Sequence, residues 1–372
     1  HLAEMGANVA LCEHSVIGAG ASGRNGGFCS SGWAAGLDQI TRLVGPLVSK
    51  ELELIGADGF KWMRDRAFSS KYTKAQPISG IISLGLKGQI SEASERLDEV
   101  ELKKFVDGPR YKWGKIDNEA FHFHPLNFLK TFLQEVISHG VKVFENTGAV
   151  QVNGSEIYFS NGNRISCDRM VWATGGYSIE KNSTLKQYLL PIQTFICVTS
   201  PMPEILETYI PTRMALGDDR RAGNYFRRLP DGRLLWGMGV SALNQQSVES
   251  IKKMGWKNIK AHFPSMITEM KQNNIKFDYA WSGLMAYASH FMPYVGKLNE
   301  RESILSGFGG HGMNTAPIAG KRMALFLNGD KTILDPFLEI PRRNVFGLIG
   351  RLGAEFEYRR LRAIDYITEA LG

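Results

Sequence analysis

Three glycine-rich segments are the parts of this sequence best suited to hold a ligand: residues 18–27, 173–176 and 307–312. Each follows an apolar run typical of a strand. Glycine tolerates positive φ and lets the backbone approach a ligand closely. Because open α/β proteins bind ligands at the carboxyl ends of their strands, we expect the three segments to cluster at one edge of one sheet. The chemistry that they favour is the binding of a large planar cofactor that carries a diphosphate.

An acidic residue, Glu13, comes shortly before the first segment. Residues 1–6 are typical of the last turns of a helix closed by a glycine, and residues 7–13 of a buried strand that ends in the acid. In βαβ nucleotide-binding units, such an acid hydrogen-bonds the ribose hydroxyls and lies about 20 residues after a glycine fingerprint. Counting back from Glu13, we expect that fingerprint and its strand to lie outside this sequence.

The segment Gly18-Ala-Gly-Ala-Ser-Gly23 itself matches the G-x-G-x-x-G fingerprint. The match is meaningful only if a helix follows, because the diphosphate rests on the helix N-terminus. The next residues include Gly26 and Gly27, each of which costs about 1 kcal/mol inside a helix. We therefore predict a different glycine-rich loop here. The alternative, an NAD-linked dehydrogenase, requires a helix directly after Gly23.

Hydrophobic periodicity predicts the elements that position these segments. We expect helices at 37–68, 91–104, 124–137, 247–271 and 317–327. We expect strands at 78–84, 141–144, 149–152, 156–160, 164–166, 170–176, 224–227 and 233–237, and from residue 304 into the third glycine segment. The dipeptide Asn161-Gly162 predicts a type I′ turn. Helices alternating with strands, together with antiparallel signals, predict an α/β nucleotide-binding domain interleaved with an α+β substrate domain.

Composition excludes several classes of protein. The 372 residues are 43% hydrophobic and 22% charged, with a net charge of +7, as is ordinary for globular chains of two to three domains. No apolar stretch approaches the roughly 18 residues of a spanning helix, and no basic stripe indicates nucleic-acid binding. The four cysteines form no C-x-x-C pair, so we expect no disulfide framework, no metal site and a reducing cytoplasm.

Beyond these patterns, the sequence resembles one family of enzymes. Glu13 with the segment 17–27 resembles the post-ribose loop of the D-amino-acid/glycine oxidase type of FAD-dependent oxidoreductases. Four other segments resemble further parts of that family, namely 173–177 (the second flavin-site strand) and 281–287, 292–296 and 307–320 (the C-terminal signature). The tail Glu357-Tyr-Arg-Arg-Leu-Arg362 is most similar to the branch that contains γ-glutamylputrescine oxidase.

The resemblance implies a Rossmann-like FAD-binding domain of the glutathione-reductase type and a substrate domain with a largely antiparallel sheet. The FAD-binding domain would comprise residues 1–75, 119–180 and 286–335, without its first strand. The substrate domain would comprise 76–118 and 181–285, and a helical extension would follow at 336–372.

The resemblance also implies where FAD binds. We expect it to be non-covalent, because Arg24 and Gly283 stand near the places where relatives carry a linking His or Cys. The isoalloxazine would lie between the loops of Arg24 and His311, whose donors would stabilise negative charge on the reduced ring. The implied cofactor-binding residues are Glu13, Ser22, Arg24, Asn25, Gly26, Gly27, Val150, Thr174, Gly175, Gly307, Gly309, Gly310, Gly312, Met313 and Asn314.

The implied activity is oxidation of the C–N bond of an amine or amino acid by hydride transfer to flavin N5, followed by imine hydrolysis, with O2 or another electron acceptor. His311, Arg227 and Tyr287 are the candidate catalytic residues, with Arg227 binding a substrate carboxylate. Sarcosine-oxidase relatives place a Lys where Asn314 stands, and we find no counterpart of the oxygen-activating Lys in the strand after Trp236. An amine or γ-glutamyl amine is therefore favoured over a simple α-amino acid.

Some alternatives stay open at this point. A non-catalytic family member that holds no FAD and binds a ligand or partner is the second hypothesis. We expect His124 to cap its helix and His122 to be a surface or strand residue, whereas Trp281 and Tyr287 fit the core as well as a flavin wall. We expect the basic C-terminal helix to be a solvated face or interdomain clamp rather than a membrane contact.

Overall fold

The computed structural model describes residues 1–86, 96–177, 183–218, 220, 223–243 and 245–371. The chain divides into two compact units, and each unit is assembled from three separate segments. The first unit comprises His1–Gln76, Phe123–Ile192 and Leu284–Gly350. The second comprises Pro77–His122, Gln193–Gly283 and Arg351–Gly372. The boundary at residue 350 therefore falls inside the expected C-terminal extension.

The strands and helices are numbered in chain order. The strands are β1 (Ala10–Cys12), β2 (Phe28–Cys29), β3 (Ile78–Leu86), β4 (Tyr111–His122), β5 (Lys142–Phe144), β6 (Ala149–Asn153), β7 (Glu156–Phe159), β8 (Arg164–Ser166), β9 (Met170–Trp172), β10 (Leu190–Thr199), β11 (Ala215–Asp218), β12 (Tyr225–Arg228), β13 (Leu234–Ser241), β14 (Phe277–Tyr287), β15 (Tyr294–Lys297) and β16 (Glu302–Ser306). The helices are α1 (Ala21–Arg24), α2 (Leu37–Ala67), α3 (Glu99–Leu102), α4 (Pro125–Ser138), α5 (Ser183–Tyr188), α6 (Pro203–Tyr209), α7 (Val248–His262), α8 (Pro264–Gln272), α9 (Gly312–Leu327), α10 (Asp335–Leu338) and α11 (Leu348–Leu371), with a 3-10 turn at Ser70–Ala75.

Small sheets carry the glycine segments of the first unit. β1 pairs with β5 in parallel, and β16 lies between β15, which is antiparallel to it, and β9, which is parallel to it. β6, β7 and β8 form an antiparallel meander. The parallel β9 and β16 end at the same edge, directly before the second and third glycine segments. This is the arrangement in which two ligand-binding turns meet.

Two long helices pack closely in the same unit. A side chain at Gly59 of α2 would place its Cβ 2.2 Å from the Asn314 carbonyl oxygen of α9, so only glycine permits this approach. Ile55 of α2 and Ile318 of α9 are buried in the core between them. α2 is interrupted at Gly45, whose φ of +80° precedes Pro46. The helix pair thereby fixes the position of the first turn of α9.

The second unit is built on a large, mostly antiparallel sheet with the strand order β14-β10-β13-β12-β11-β3-β4. Phe226 of β12 stacks on Trp236 of β13 with ring centroids 4.5 Å apart, and Phe263, between α7 and α8, packs edge-on against both. Since side chains alternate along a strand, Tyr225 and Arg227 lie on the opposite face of β12. That second face also carries Leu235, the register partner of Arg227.

The expected fold class is confirmed, but several elements differ from the sequence expectations. Residues 1–6 form hydrogen-bonded turns rather than helix, closed by Gly6 with a φ of +87°. β1 is exposed rather than buried, with Leu11 40% exposed, because a two-stranded sheet covers few side chains. Gly162 has a φ of +82° whereas Asn161 does not have a positive φ, so their turn is not type I′.

Three expected helices have different limits. Residues 91–95 lie outside the described residues, and the helix begins only after Asp98, which caps it with a capping box. The helix expected at 247–271 is broken at Phe263, because Pro264 lacks an N–H and disfavours helical geometry before it. α9 begins at Gly312 rather than Pro317, since a proline in the second turn removes only one intrahelical bond.

A buried histidine anchors the helical side of the second unit. His262 Nδ1 lies 2.8 Å from the Asn258 carbonyl oxygen, so it carries the hydrogen and Nε2 accepts. Nε2 lies 3.0 Å from Arg110 Nη1, 3.2 Å from Arg220 Nη2 and 3.1 Å from Asn224 Nδ2. Burial, together with the charge of the two guanidinium groups, lowers the pKa of His262 to about 3.

We expect this histidine to make the protein less stable in acid. Because the unfolded chain binds a proton that the folded chain does not, the stabilisation is present above the unfolded pKa of about 6.5 and is lost as the pH falls toward 3. Between pH 7 and pH 5, the free energy of unfolding should fall by about 2 kcal/mol less in the His262→Asn variant than in wild type, as measured by urea unfolding. His139→Asn, at an exposed site, is the control, and equal pH slopes for H262N and wild type would contradict the prediction.

Candidate functional site

The turn after β1 is held by acidic side chains. Glu13 accepts the Ser15 N–H at Oε1, 2.9 Å away, and its backbone bonds with Phe144 and Thr147. Glu145 Oε1 accepts the Ile17 N–H at 2.7 Å. Two carboxylates therefore shape the approach to the first glycine segment, and Glu13 lies at the end of the strand where the sequence placed it.

The first glycine segment forms a compact loop. After the single turn of α1, Asn25 folds back: its Nδ2 donates to the carbonyls of Ala21 and Ser22, and its Oδ1 accepts the Gly27 N–H at 2.8 Å. Gly27 has a φ of +81°, and Phe123 N–H donates to its carbonyl at 2.9 Å. A Cβ at Gly27 would lie 1.9 Å from the Phe123 carbonyl oxygen. Asn25 and Gly27 thus fix the loop, while Ser22 and Arg24 on it are exposed.

The second glycine segment meets the first through an aromatic ring. A Cβ at Gly20 would lie 3.3 Å from the ring of Tyr177, and the Tyr177 hydroxyl accepts the Leu284 N–H at 3.2 Å. Gly175 adopts a φ of +56°, and its carbonyl accepts the Ser306 hydroxyl from the end of β16 at 3.4 Å. Thr174, beside it, is exposed. The second segment and the tyrosine that follows it therefore contact the first segment and the end of β16, where the third segment begins.

The third glycine segment packs against β14. Gly309 N–H donates to the Ala286 carbonyl at 3.0 Å, and Tyr287 bridges to Phe308. A Cβ at Gly310 would lie 3.2 Å from Met285 Sδ and 3.3 Å from the Tyr287 hydroxyl. Three glycines here have positive φ, namely Gly307, Gly309 and Gly310. The segment is a glycine turn whose walls are Met285 and Tyr287.

The start of α9 continues this turn. Gly312, Met313 and Asn314 form its first turn, where N–H groups lack intrahelical partners and the helix dipole is positive. The buried Asn314 side chain donates from Nδ2 to the Gly32 carbonyl at 2.8 Å, which ties the helix to the chain after the first segment. Desolvation lowers the pKa of His311, and a hydrogen bond from its ring to the backbone of Gly309 opposes this shift, so the ring is neutral at pH 7.

The expectation of a single sheet was wrong in one respect. The second and third segments follow strands of one sheet, but the first follows β1, which pairs with β5 in another. Side chains make the junction instead: Tyr177 lies over Gly20, and Ala34 lies 2.7 Å from the Cβ position of Gly309. The three segments nevertheless converge within the first unit.

Val150 lies at an irregular position of β6 and is 55% exposed. Nearby, a Cβ at Gly148 would lie 2.1 Å from His14 Nδ1, so the chain before β6 contacts the turn of Glu13. Val150 thus lies two residues after a contact with His14, the neighbour of Glu13.

Arg227 lies in the second unit and is only 4% exposed. Burial lowers its pKa to about 10, so the guanidinium is charged at pH 7. Its Nη1 lies 3.2 Å from Nδ1 of His122, which is fully buried in β4 rather than at the surface. His124 caps α4 as expected, accepting the Asn127 N–H at 3.3 Å.

The three glycine turns of the first unit have the backbone conformations that a cofactor with a diphosphate requires of its binding loops. Left-handed glycines open each of the three turns, and any Cβ at Gly20 or Gly310 would contact an aromatic side chain. The condition for the NAD alternative is not met, because α1 ends at Arg24 and Asn25 is extended. Within the described ranges, no three His, Cys, Asp or Glu side chains group as metal ligands would.

Comparison with known proteins decides between the remaining classes. The family described as DAO, FAD dependent oxidoreductase, matches residues 1–325. This chain belongs to that family. As a DAO family member it is an FAD-dependent oxidoreductase of amines or amino acids, so the expected class of enzyme and the expected cofactor are confirmed, and no comparison supports the non-catalytic alternative.

Relatives of this DAO protein are distant in sequence and similar in fold. The gamma-glutamylputrescine oxidoreductase of Escherichia coli is 24% identical over 359 residues, covering 92% of this chain and 83% of the relative. The probable oxidoreductase OrdL of Haemophilus influenzae is 25% identical over 372 residues, with 93% and 83% covered. Glycine oxidase from Geobacillus kaustophilus superposes with a TM-score of 0.67 at 15% identity, covering 92% of this chain and 94% of the other.

The sequence did not single out two residues that join the segments, Tyr177 and Met285. Tyr177 directly follows the second glycine pair, and an aromatic at that place was the available signal. Met285 carried no signal, since its role depends on the pairing of β14 with the third turn.

Among the described residues, no helix is both long enough and apolar enough to cross a membrane.

We expect the flavin of this DAO protein to be released when the protein is denatured. By the family resemblance, Arg24 and Gly283 stand near the positions of a linking His or Cys, and neither residue has a thiol or an imidazole. Acid precipitation should therefore leave all flavin absorbance in the supernatant. Yellow colour retained in the washed pellet would contradict the prediction, and a covalent flavoprotein treated in parallel is the control.

Proposed function

We propose that this enzyme oxidises the C–N bond of an amine that also carries a carboxylate, with a γ-glutamylputrescine-like substrate. The observation that carries the proposal is Arg227, a buried and charged guanidinium on the face of β12 that also carries Tyr225. Charge-assisted bonds from a guanidinium to a carboxylate are strong and can be bidentate. The name of the Escherichia coli relative supports the same substrate class.

The alternative is a D-amino-acid-like substrate, which the structural similarity to glycine oxidase would favour. An α-carboxylate would then need a cation near the amine nitrogen. At the position where sarcosine-oxidase relatives carry a Lys, Asn314 is buried and donates to the Gly32 carbonyl. This use of Asn314 favours the carboxylate-bearing amine over the simple α-amino acid.

When bound, FAD supplies the acceptor for a hydride from the carbon next to nitrogen. We assign FAD binding to the first unit, where the fifteen cofactor-binding residues named from the sequence would contact it. We assign binding of the substrate carboxylate to the second unit. The positive end of the α9 dipole and the N–H groups of Gly312 and Met313 would stabilise negative charge. In the second unit, Arg227 would bind the substrate carboxylate, and in the first unit His311 and Tyr287 remain our candidate catalytic residues. A reducing cytoplasm remains our prediction for its compartment.

Anaerobic reduction of the flavin tests the substrate. The purified protein is mixed with γ-glutamylputrescine, putrescine, D-alanine or glycine, and the loss of flavin absorbance is followed by stopped flow. We expect γ-glutamylputrescine to reduce the flavin fastest. Faster reduction by D-alanine would favour the alternative substrate, and a flavin that none of the four reduces would overturn the proposal. Admitting O2 afterwards distinguishes an oxidase, which is reoxidised rapidly, from a dehydrogenase.

A further inference from the structure

His122 is the last residue of β4 and is completely buried within the second unit. Its Nε2 lies 2.8 Å from the carbonyl oxygen of Arg213. A carbonyl oxygen can only accept, so Nε2 carries the hydrogen of the ring. Nδ1 is then the acceptor, and it lies 3.2 Å from Arg227 Nη1. The backbone of Arg213 therefore selects the one tautomer of His122 that can accept a hydrogen bond from Arg227.

We propose that His122 is a positioning residue that holds the guanidinium of Arg227 in the orientation in which it binds the carboxylate of the substrate. This inference rests on the proposed function, in which Arg227 contacts that carboxylate. No step of the reaction is assigned to His122, and its effect is on binding.

A neutral acceptor suits this task better than an acid. An Asp or Glu in the place of His122 would compete with the substrate carboxylate for Arg227, whereas a neutral imidazole orients the guanidinium without adding a negative charge. Burial, and secondly the charge of Arg227, lower the pKa of His122 to about 4. The ring therefore stays neutral near pH 7, and Arg227, with its pKa of about 10, stays charged.

Fixing one end of a guanidinium also reduces the cost of binding. Arginine has a long side chain with much rotamer freedom, and a group already oriented loses less entropy when its ligand arrives. The side chains around Arg227 are closely packed. Leu235 of β13, which pairs with Arg227, is buried, and the ring of Tyr225 lies over Gly237. A Cβ at Gly237 would lie 2.0 Å from that ring, so glycine is what admits it. A charged group among apolar and aromatic ones matches an amine whose carboxylate is carried on an aliphatic chain.

Three substitutions at His122 separate the roles of its two nitrogens. Asn places its amide oxygen near the Nδ1 position and can accept from Arg227. Gln reaches the Nε2 position and can donate to the Arg213 carbonyl, and Phe keeps the ring volume with neither nitrogen. Each variant is prepared as the holoenzyme beside Arg227→Met, and KM and kcat are measured with γ-glutamylputrescine and with putrescine, which lacks the carboxylate.

We expect His122→Phe and His122→Gln to raise KM for γ-glutamylputrescine by about tenfold with little change in kcat. Neither should move KM for putrescine beyond about twofold, and His122→Asn should restore most of the loss. A KM that rises equally for both amines would show a merely structural role and overturn the inference. If His122→Phe does not fold, the comparison of Asn with Gln decides, and equal KM values for these two overturn it.

Histidine nitrogen NMR gives a readout that needs no substrate. In holoenzyme labelled with 15N-histidine, the signals absent from His122→Asn belong to His122. We expect one protonated and one unprotonated ring nitrogen, with the unprotonated signal shifted in Arg227→Met. The opposite tautomer, or no shift, overturns the inference. If Arg227→Met lowers the selectivity for γ-glutamylputrescine but His122→Phe does not, the proposed function stands and the inference alone fails, whereas unchanged selectivity in Arg227→Met removes both.

Discussion

The Arg227→Met variant should lower kcat/KM for γ-glutamylputrescine by roughly 100-fold or more, while kcat/KM for putrescine stays within about threefold. Met retains much of the volume of Arg227 but cannot donate to a carboxylate. Hydrogen bonds to charged groups contribute about 1.5–3 kcal/mol each, and a bidentate pair makes two of them. Steady-state kinetics with both amines measures the change as a ratio, in which general damage to the enzyme cancels.

The neighbouring Arg228 provides the matched control. It is equally buried but lies on the other face of β12, where it bonds to the carbonyls of Ile210 and Pro211 and pairs with Glu207 at 2.7 Å. Arg228→Met should lower the melting temperature and leave the ratio between the two amines unchanged. A ratio that changes as much in Arg228→Met as in Arg227→Met would argue against carboxylate binding by Arg227.

The second large effect is expected at Gly27. Replacing it with Ala forces a side chain into a left-handed conformation at φ +81° and places its Cβ 1.9 Å from the Phe123 carbonyl oxygen. The obstacle is backbone, which cannot rotate away. We expect a loss of roughly 3 kcal/mol or more in unfolding free energy, and FAD affinity at least about tenfold weaker. Urea unfolding and the flavin content of the purified protein measure the two effects.

Gly36→Ala is the appropriate comparison for Gly27→Ala. Gly36 has a φ of −69°, and nothing lies within 4 Å of its Cβ position. We expect a change within about 0.5 kcal/mol and normal flavin content. Full flavin content in Gly27→Ala would mean that the shape of this loop is not needed for the cofactor.

The glycine segments were predictable from the sequence because their chemistry is local. A glycine after an apolar run indicates positive φ, and Gly175, Gly307 and Gly309 all have it. How the segments meet was not predictable, since Tyr177 reaches Gly20 across more than 150 residues of chain. The first segment therefore joins the others through side chains rather than through the single sheet that we expected.

His122 shows the same limit in the second unit. From the sequence it is one histidine at the end of a strand, and nothing local distinguishes it from an exposed one. Its partners, Arg213 and Arg227, are distant along the chain and meet it only when β4 and β12 are incorporated in one sheet. The buried character of β1 was likewise misjudged, because an apolar run predicts a strand without stating how many neighbours will cover it.

The three-segment construction of each unit has a consequence for biosynthesis. The first unit comprises segments that lie between His1 and Gly350. The second unit includes α11, whose Glu369 pairs with Arg110, the residue just before β4. The core of the second unit draws on residues 82–277, whereas the core of the first unit joins Trp33 to Ile340 and cannot close until Ile340 has been made. The apolar residues of the first unit near the start of this sequence therefore stay uncovered during synthesis until their partners near residue 340 emerge from the ribosome.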